Sequence, residues 1–203
     1  MFSIVNYRMG NMKSIQNALT YLGVESSMVE SSQEILRSTK LILPGVGSFA
    51  QAMKNIREIG ILDALNTAVL VKKVPILGIC LGMQLFSESG DEDGPTDGLG
   101  WIPGRVRRLS VEKNLKVPHI GFNTAYFSPN NRILFDGLEG SADFYFIHSY
   151  ALACVRETDV ASWTEYGERF VSSVRRDNIF GVQFHPEKSQ HSGLAVLNNF
   201  ARL

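Results

Sequence analysis

The segment VPILGICLGMQ, residues 74–84, decides the fold of this chain. The residues from Val74 to Ile79 form an apolar run, which predicts a buried strand that leads into a helix. Cys80 follows the strand, with Gly78 and Gly82 two positions away on either side. A strand that enters a helix through Gly-x-Cys-x-Gly has the form of a nucleophile elbow, with cysteine in place of the usual serine. The segment therefore predicts an α/β fold with a reactive thiol at a strand-to-helix turn.

Strands and helices alternate along the first half of the chain, and turns separate strand-like segments from about Gly104 onward. Apolar strands that alternate with helices are typical of a parallel sheet covered on both faces. We therefore predict a doubly wound, mostly parallel central sheet with flanking helices and an antiparallel extension. The predicted strands are Phe2 to Asn6, Lys40 to Leu43, Val74 to Ile79, Arg105 to Leu109, Asp143 to Ile147, Val160 to Thr164, Phe170 to Arg175 and Ile179 to Phe184. The predicted helices are Asn11 to Leu22, Phe49 to Val71 with a break near Gly60, Leu81 to Ser87 and Ser192 to Ala201.

Composition limits the classes of function to consider. The chain has 203 residues, 44% of them hydrophobic, which suffices for the core of one domain over residues 1–203. Lys plus Arg and Asp plus Glu number 20 each, so no charge pattern for nucleic acid or an anionic membrane is expected. No stretch approaches the ~18 apolar residues of a membrane span, and the first residues lack the features of a signal peptide. We expect a cytoplasmic protein that binds a small molecule and another protein.

The two cysteines, Cys80 and Cys154, neither build a disulfide framework nor match a metal-ligand spacing. No metal and no cofactor are expected. Around Cys80, side chains at Gly78 or Gly82 would collide with the strand and helix that flank the turn. The N-terminus of the following helix favours thiolate over thiol. Cys154 has no such setting and is interpreted as a core or strand-edge residue.

A thiolate nucleophile needs a proton carrier, and His185 is the best placed of four histidines because it follows an apolar strand. Glu187, two residues later, can accept a hydrogen bond from the imidazole and fix its tautomer. Taken alone, each is more often a solvated loop histidine or a surface glutamate. Together with the elbow they predict a catalytic triad.

Amide hydrolysis also needs backbone donors for an oxyanion. Leu81 can supply one N–H group, and the glycine-rich loop of Gly45, Val46 and Gly47 can supply another. By itself this loop would be an ordinary turn. The chemistry at this stage fits a protease, a thioesterase or an amidase.

Three segments carry a resemblance to a known family. PGVGSF (44–49), GICLGMQ (78–84) and FHPEKS (184–189) closely resemble the triad-type, class I glutamine amidotransferases. Within that class, PHIGFN (118–123) and FYFIHSY (144–150) are similar to the glutaminase subunit of imidazole glycerol phosphate synthase. The resemblance covers nearly the whole chain.

The resemblance implies the same nucleophile, base and orienter, and it adds positions that bind the substrate glutamine. These positions are Gln84, Glu92, Ser149 and Tyr150. It also implies a heterodimer in which this subunit releases ammonia and a (βα)₈-barrel cyclase subunit uses it to make imidazole glycerol phosphate and AICAR in histidine biosynthesis. Dependence of the glutaminase on its partner would follow if a peptide of the 44–47 loop must rotate to complete the oxyanion hole.

Two segments depart from the family pattern. Asn6-Tyr7-Arg8 stands where Asp-Tyr-Gly is common, and Gly121-Phe122-Asn123 stands where Gly-Trp-Asn is common. Both lie toward the expected cyclase interface, so two alternatives stay open. One is a paralogous subunit that supplies ammonia for amidino groups on bacterial surface sugars, which GLGWI (98–102) and KSQ (188–190) would suit. The other is a non-catalytic assembly scaffold, against which the intact triad argues.

Overall fold

The chain builds its central sheet around the strand that precedes Cys80. The computed structural model describes residues 2–111 and 115–203. The strands of these residues are β1 (Phe2–Val5), β2 (Ser26–Val29), β3 (Lys40–Leu43), β4 (Ile76–Ile79), β5 (Ser89–Gly90), β6 (Thr96–Asp97), β7 (Gly104–Arg108), β8 (His119–Phe127), β9 (Ser141–His148), β10 (Tyr150–Cys154), β11 (Val160–Tyr166), β12 (Glu168–Arg176) and β13 (Ile179–Val182). The α-helices are α1 (Met12–Tyr21), α2 (Ser32–Arg37), α3 (Phe49–Ile59), α4 (Leu62–Asn66), α5 (Leu81–Gln84) and α6 (Gln190–Arg202).

The predicted α/β fold with a parallel core and an antiparallel extension is confirmed. In the described residues, nine strands form one sheet in the order β2-β1-β3-β4-β13-β12-β11-β8-β9. β4 pairs in parallel with β3 on one side and β13 on the other, so the elbow leaves the middle of the parallel half. From β12 to β9 the neighbours are antiparallel. That residues 1–203 form one domain stays a prediction.

The apolar runs in the parallel strands follow from burial on both faces of the sheet. Leu41 and Leu43 of β3 pack into one core layer, whereas Ile42 packs into the other. Helix α3 covers the first layer, and α1 and α6 cover the second. None of the helices in the described residues is long and apolar enough to cross a bilayer.

One strand that was predicted for the central sheet lies in a second sheet. The segment Arg105 to Leu109, expected to extend the central sheet, forms β7 in a second sheet of order β10-β7-β5-β6. Its buried Val106 alternates with outward-facing arginines, which suits a small sheet with one face on the core. Arg107 ties this sheet to β12 through a two-point ion pair with Glu168, at 3.0 and 2.6 Å.

Helix limits also differ from the prediction. The break near Gly60 is confirmed, since Gly60 ends α3 in the left-handed conformation with φ of 75°. Beyond it, α4 continues into a π-helical turn, Thr67–Val71. Helix α5 covers only Leu81–Gln84 instead of reaching Ser87, and α6 begins at Gln190 instead of Ser192. Elements without a predicted counterpart are β2, α2, β5, β6, β8 and β10.

Two glycines allow the elbow to pack against its neighbours. A Cβ added at Gly82 would lie 1.8 Å from the Leu43 carbonyl oxygen, and one at Gly78 would lie 2.6 Å from the Phe86 ring. Both distances are far below van der Waals contact. The expected collision on the side of the flanking helix is confirmed at Gly78, whereas at Gly82 the collision is with the neighbouring strand β3. The end of β3 therefore contacts the turn that carries Cys80 through backbone atoms.

Gly82→Ala tests this close contact. We expect a loss of at least about 3 kcal/mol in the free energy of unfolding, measured by urea denaturation, because neither backbone can move without disturbing the central sheet. Gly140→Ala is the matched control, since Gly140 has no atom within 4 Å of an added Cβ. A Gly82→Ala protein as stable as the Gly140→Ala protein would contradict the proposed contact.

Candidate active site

Cys80 occupies a strained turn. Its φ and ψ are 54° and −111°, a backbone conformation that non-glycine residues avoid. The Cys80 N–H group donates to the Val182 carbonyl at 2.8 Å, which extends the pairing of β4 with β13 to the nucleophile itself. Because α5 has only one turn, its contribution to thiolate formation is that of a few N–H groups and not of a long helix.

A cavity of about 200 Å³ opens beside the Cys80 side chain. It brings together most of the residues singled out in the sequence, from five separate regions of the chain. Those that line it are Cys80, His185, Val46, Gly47, Leu81, Gln84, Glu92, Ser149 and Tyr150. Glu187 lies behind His185, and Gly45 lies outside the lining.

His185 and Glu187 form a buried pair. The His185 Nδ1 atom lies 2.8 Å from Glu187 Oε1, and the two side chains are 4% and 1% exposed. Burial lowers the pKa of His185, but the interactions with Cys80 and Glu187 outweigh it and raise the pKa to about 10. Within the described residues, His185 Nε2 has no hydrogen-bond partner in the protein. This nitrogen is therefore available to a reacting group.

The turn that carries this pair is fixed to β9. The His185 N–H group donates to the Tyr145 carbonyl at 2.8 Å, and the Tyr145 N–H group donates to Ser189 Oγ at 2.9 Å. The Ser189 hydroxyl in turn donates to the His185 carbonyl at 2.6 Å. These three bonds set the position of the imidazole relative to the sheet.

The Cys80 sulfur has two polar neighbours besides the histidine. As a thiol it donates to the Ile147 carbonyl at 3.8 Å, and it accepts from Gln183 Nε2 at 3.6 Å. Gln183 is fully buried directly after β13. The sequence alone assigns no role to Gln183, because its contact with Cys80 joins residues 103 positions apart in the chain.

Gly45 acts through packing. A Cβ there would lie 2.7 Å from three groups: the Gly82 nitrogen, the Leu81 Cβ and the Tyr7 hydroxyl. The Tyr7 hydroxyl donates to the Pro44 carbonyl at 2.6 Å. Burial, and then the charge of Cys80, raise the pKa of Tyr7 well above its usual range, so it stays a neutral donor. The Tyr7 hydrogen bond holds the loop at its first residue, Pro44. Gly47, with φ of 100°, does not take part in this bond.

The Gln84 side chain is buried. Its Nε2 atom donates to the Tyr150 carbonyl at 2.8 Å and to Gln183 Oε1 at 3.0 Å. Glu92 accepts a hydrogen bond from the Phe49 N–H group at 2.9 Å. Burial is the main reason why the pKa of Glu92 is raised, and the Phe49 bond partly offsets it.

A pair of buried histidines continues the polar contacts away from the cavity. His148 Nδ1 lies 2.9 Å from the Tyr150 carbonyl, and His148 Nε2 lies 3.1 Å from His119 Nδ1. The Asn123 side chain lies 3.3 Å from His119 Nε2. Burial lowers the pKa of His119 to about 4 and that of His148 to about 3, so both rings are neutral.

The arrangement can perform acyl transfer. A thiol, an imidazole with an available nitrogen and a buried carboxylate meet at one cavity, and the N–H group of Leu81 opens the following helix. Carboxylate and amide groups in the wall suit a small polar substrate with a charged amino group.

The chain is similar to proteins of known family along its full length. A family model described as glutamine amidotransferase class-I matches residues 3–202. The chain is 45% identical to imidazole glycerol phosphate synthase subunit HisH 1 of Campylobacter jejuni subsp. jejuni serotype O:23/36 (strain 81-176), and 100% of both chains is covered. It is 44% identical to the HisH subunit of Leptospira interrogans, again with 100% of both chains covered. With the HisH subunit of Moorella thermoacetica it shares 46% identity over 99% of this chain and 94% of the relative.

Solved structures agree in fold. A crystal structure titled as a glutamine amidotransferase matches with a TM-score of 0.76 at 20% identity, over 98% of this chain and 97% of the other. The structure of PurLQS from Thermotoga maritima matches with a TM-score of 0.76 at 17% identity, over 99% and 97%. At these identities the likeness concerns the fold alone.

The raised pKa of His185 predicts how stability depends on pH. A group whose pKa rises on folding stabilises the native state while it is protonated, so the free energy of unfolding should fall from about pH 6.5 toward about pH 10. Glu187→Gln removes the nearest carboxylate, and we expect a smaller fall in urea denaturation across this range. Glu25→Gln, at an exposed position, is the matched control. An equal fall in the Glu187→Gln protein would contradict the ion pair.

Proposed function

The chain belongs to the class-I glutamine amidotransferase family, and from this premise we propose that it is the glutaminase subunit of an imidazole glycerol phosphate synthase. In this role it hydrolyses glutamine to glutamate and ammonia, and the ammonia passes to a cyclase subunit in histidine biosynthesis. The observation that carries the proposal is the cavity at which Cys80 meets the His185–Glu187 pair. The full-length similarity to subunits of that name supports the choice of pathway. Placement in the cytoplasm stays a prediction.

The residues support the following reaction. The Cys80 thiolate attacks the side-chain carbonyl carbon of glutamine, and His185 protonates the leaving nitrogen, which departs as ammonia. A γ-glutamyl thioester remains on Cys80. His185 then takes a proton from water, which attacks the thioester to release glutamate and return the thiol. Glu187 holds the imidazole through Nδ1, so that Nε2 carries the proton in each step.

We assign the oxyanion donors to the Leu81 N–H group and to the loop of Val46 and Gly47. Tyr7 holds the Pro44 carbonyl, so a peptide that rotates in this loop would lie C-terminal to Pro44. Gly47 has a positive φ, and as a glycine it can change its backbone angles when an adjacent peptide rotates. Partner-dependent activity would follow if docking drives this rotation.

We assign substrate recognition to the polar wall of the cavity. Glu92 is the carboxylate that would receive the α-amino group of glutamine, and the backbone around Ser149 and Tyr150 would receive its α-carboxylate. Gln84 keeps its amide nitrogen on Tyr150 and Gln183, which leaves its carbonyl oxygen for the substrate. Each assignment draws on side chains or backbone that line one small cavity.

An apolar face beside the cavity suits the cyclase partner. Ile120 and Phe122 of β8 are 57% and 52% exposed, and Ile147 of β9 is 39% exposed. Ile120 is paired with Ile147 across the two strands, so the three side chains share one face. The backbone carbonyl of Ile147, one of these three residues, contacts the Cys80 sulfur, so the face lies next to the nucleophile. We propose that a (βα)₈-barrel cyclase binds here.

Arg8, which departs from the family pattern, has a strained backbone conformation. It has φ of 68°, where the family's glycine would be unstrained. Phe122 keeps an aromatic ring on the proposed interface and lacks the indole N–H group of tryptophan. Both features lie toward the proposed partner interface. The experiment below therefore also tests whether the chain is the paralogous sugar-modifying subunit.

The decisive experiment measures ammonia production from glutamine with and without the histidine-pathway cyclase and its ribulosyl-formimino nucleotide substrate. We expect slow turnover by the isolated chain and acceleration by the liganded cyclase. Cys80→Ala should abolish turnover, whereas Cys154→Ala should retain it because Cys154 lies outside the cavity. Turnover without any effect of this cyclase would favour the surface-sugar paralogue. No turnover with any cyclase would favour the scaffold.

The partner face has its own test. Phe122→Ala should weaken cyclase binding by about thirtyfold, as expected for a central aromatic anchor, in titration calorimetry. Val71→Ala is the matched control, because Val71 is 75% exposed and lies on the π-helical turn away from this face. Equal affinities for the two variants would place the cyclase elsewhere.

A further inference from the structure

Gln183 sits between the nucleophile and the rest of the polar cavity wall. Its side chain is fully buried, with Nε2 at 3.6 Å from the Cys80 sulfur and Oε1 at 3.0 Å from Gln84 Nε2. A buried amide must find partners for both its oxygen and its nitrogen. Which end faces the sulfur is therefore decided by the neighbours.

The hydrogen-bond partners allow only one orientation of the Gln183 side-chain amide. A backbone carbonyl only accepts, so the Tyr150 carbonyl requires the nitrogen end of Gln84. The second hydrogen of that nitrogen then meets Gln183 Oε1. A flipped Gln183 would place two NH₂ groups against each other and an oxygen against the sulfur. The donor of Gln183 therefore faces Cys80.

The two histidines fix the Tyr150 carbonyl in the same way. His148 Nδ1 must donate to this carbonyl, so the neutral ring accepts at Nε2 from His119 Nδ1. His119 Nε2 then accepts from the Asn123 amide, whose nitrogen also donates to the Glu165 carbonyl at 2.9 Å. Every bond from Asn123 to Tyr150 thus has a determined donor.

The thiol and the thiolate of Cys80 use different neighbours. The thiol donates to the Ile147 carbonyl at 3.8 Å, and this bond disappears when the proton leaves. The thiolate can only accept, and besides His185 the Gln183 amide is a neutral side-chain donor directed at it. A hydrogen bond to an ionised acceptor is about twice as strong as a neutral one. Gln183 therefore favours the ionised nucleophile over the resting thiol.

We propose that Gln183 is a catalytic residue that stabilises the Cys80 thiolate through its side-chain N–H group, with Gln84 as the positioning residue that orients it. The inference rests on the proposed function, because it concerns the nucleophile of the same reaction. His148 and His119 position the Tyr150 carbonyl on which Gln84 depends.

The test measures the rate at which iodoacetamide alkylates Cys80 as a function of pH, in the full chain without glutamine or cyclase. Peptide mass spectrometry separates Cys80 from Cys154, whose pKa burial raises to about 12 and which serves as an internal reference. The titratable groups at the cavity stay unchanged in every variant. They are His185 with Glu187, Tyr7, Glu92 and His148.

Gln183→Met keeps the length of the side chain and removes the donor. We expect about tenfold slower alkylation near neutral pH and a midpoint about one pH unit higher. Gln84→Met should move the profile in the same direction by less, although Gln84 does not contact the sulfur through any hydrogen bond. Gln33→Met, on the exposed side of α2, is the matched control and should leave the profile unchanged.

Profiles of Gln183→Met and wild type that coincide would overturn the proposal. If Gln183→Met does not fold, as judged by circular dichroism, the Gln84→Met profile decides, and an unchanged midpoint overturns the proposal equally. The outcome is independent of glutaminase activity. A shifted profile without turnover would sink the proposed function alone, and turnover with an unshifted profile would sink this inference alone.

Discussion

The contact between Gly82 and the Leu43 carbonyl is the constraint on which the rest of the site depends. It brings the end of β3 against the elbow with no space for a methyl group, so the loop after Leu43 must pass over Cys80. The strained conformation of Cys80 costs about 1–3 kcal/mol, and it persists because the flanking strands are fully buried and paired on both sides. The nucleophile is therefore positioned by a strand that is buried and paired on both sides.

The strands beside this constraint could be predicted from sequence, and so could most of the antiparallel extension, but β2 and β8 could not. Strands β3, β4 and β13 are apolar runs buried on both faces, so their signal is local. Strand β2 is short and Ser-rich with three partly exposed positions, and β8 places Ile120 and Phe122 on an exposed face. Helix α2 did carry a readable signal, because Ser31 and Glu34 form a capping box.

The same distinction applies to the site. Cys80, His185 and Glu187 are recognisable because their chemistry and local spacing suffice to suggest roles. Gln183 and His119 gain meaning only from contacts with residues 103 and 29 positions away. No local pattern distinguishes a strand histidine that orients a carbonyl from one that merely fills space. Polar positions whose partners lie on other strands need the tertiary structure.

The bonds between Tyr145 and the turn of His185 and Ser189 have a consequence beyond geometry. Within the described residues β9 is the last strand of the large sheet, and such a strand presents free N–H and C=O groups that invite pairing with another molecule. The turn that carries the base occupies both backbone groups of Tyr145 on that side. It thereby covers this part of the sheet edge. A substitution that displaced this turn would therefore expose two pairing groups of β9 as well as move the base.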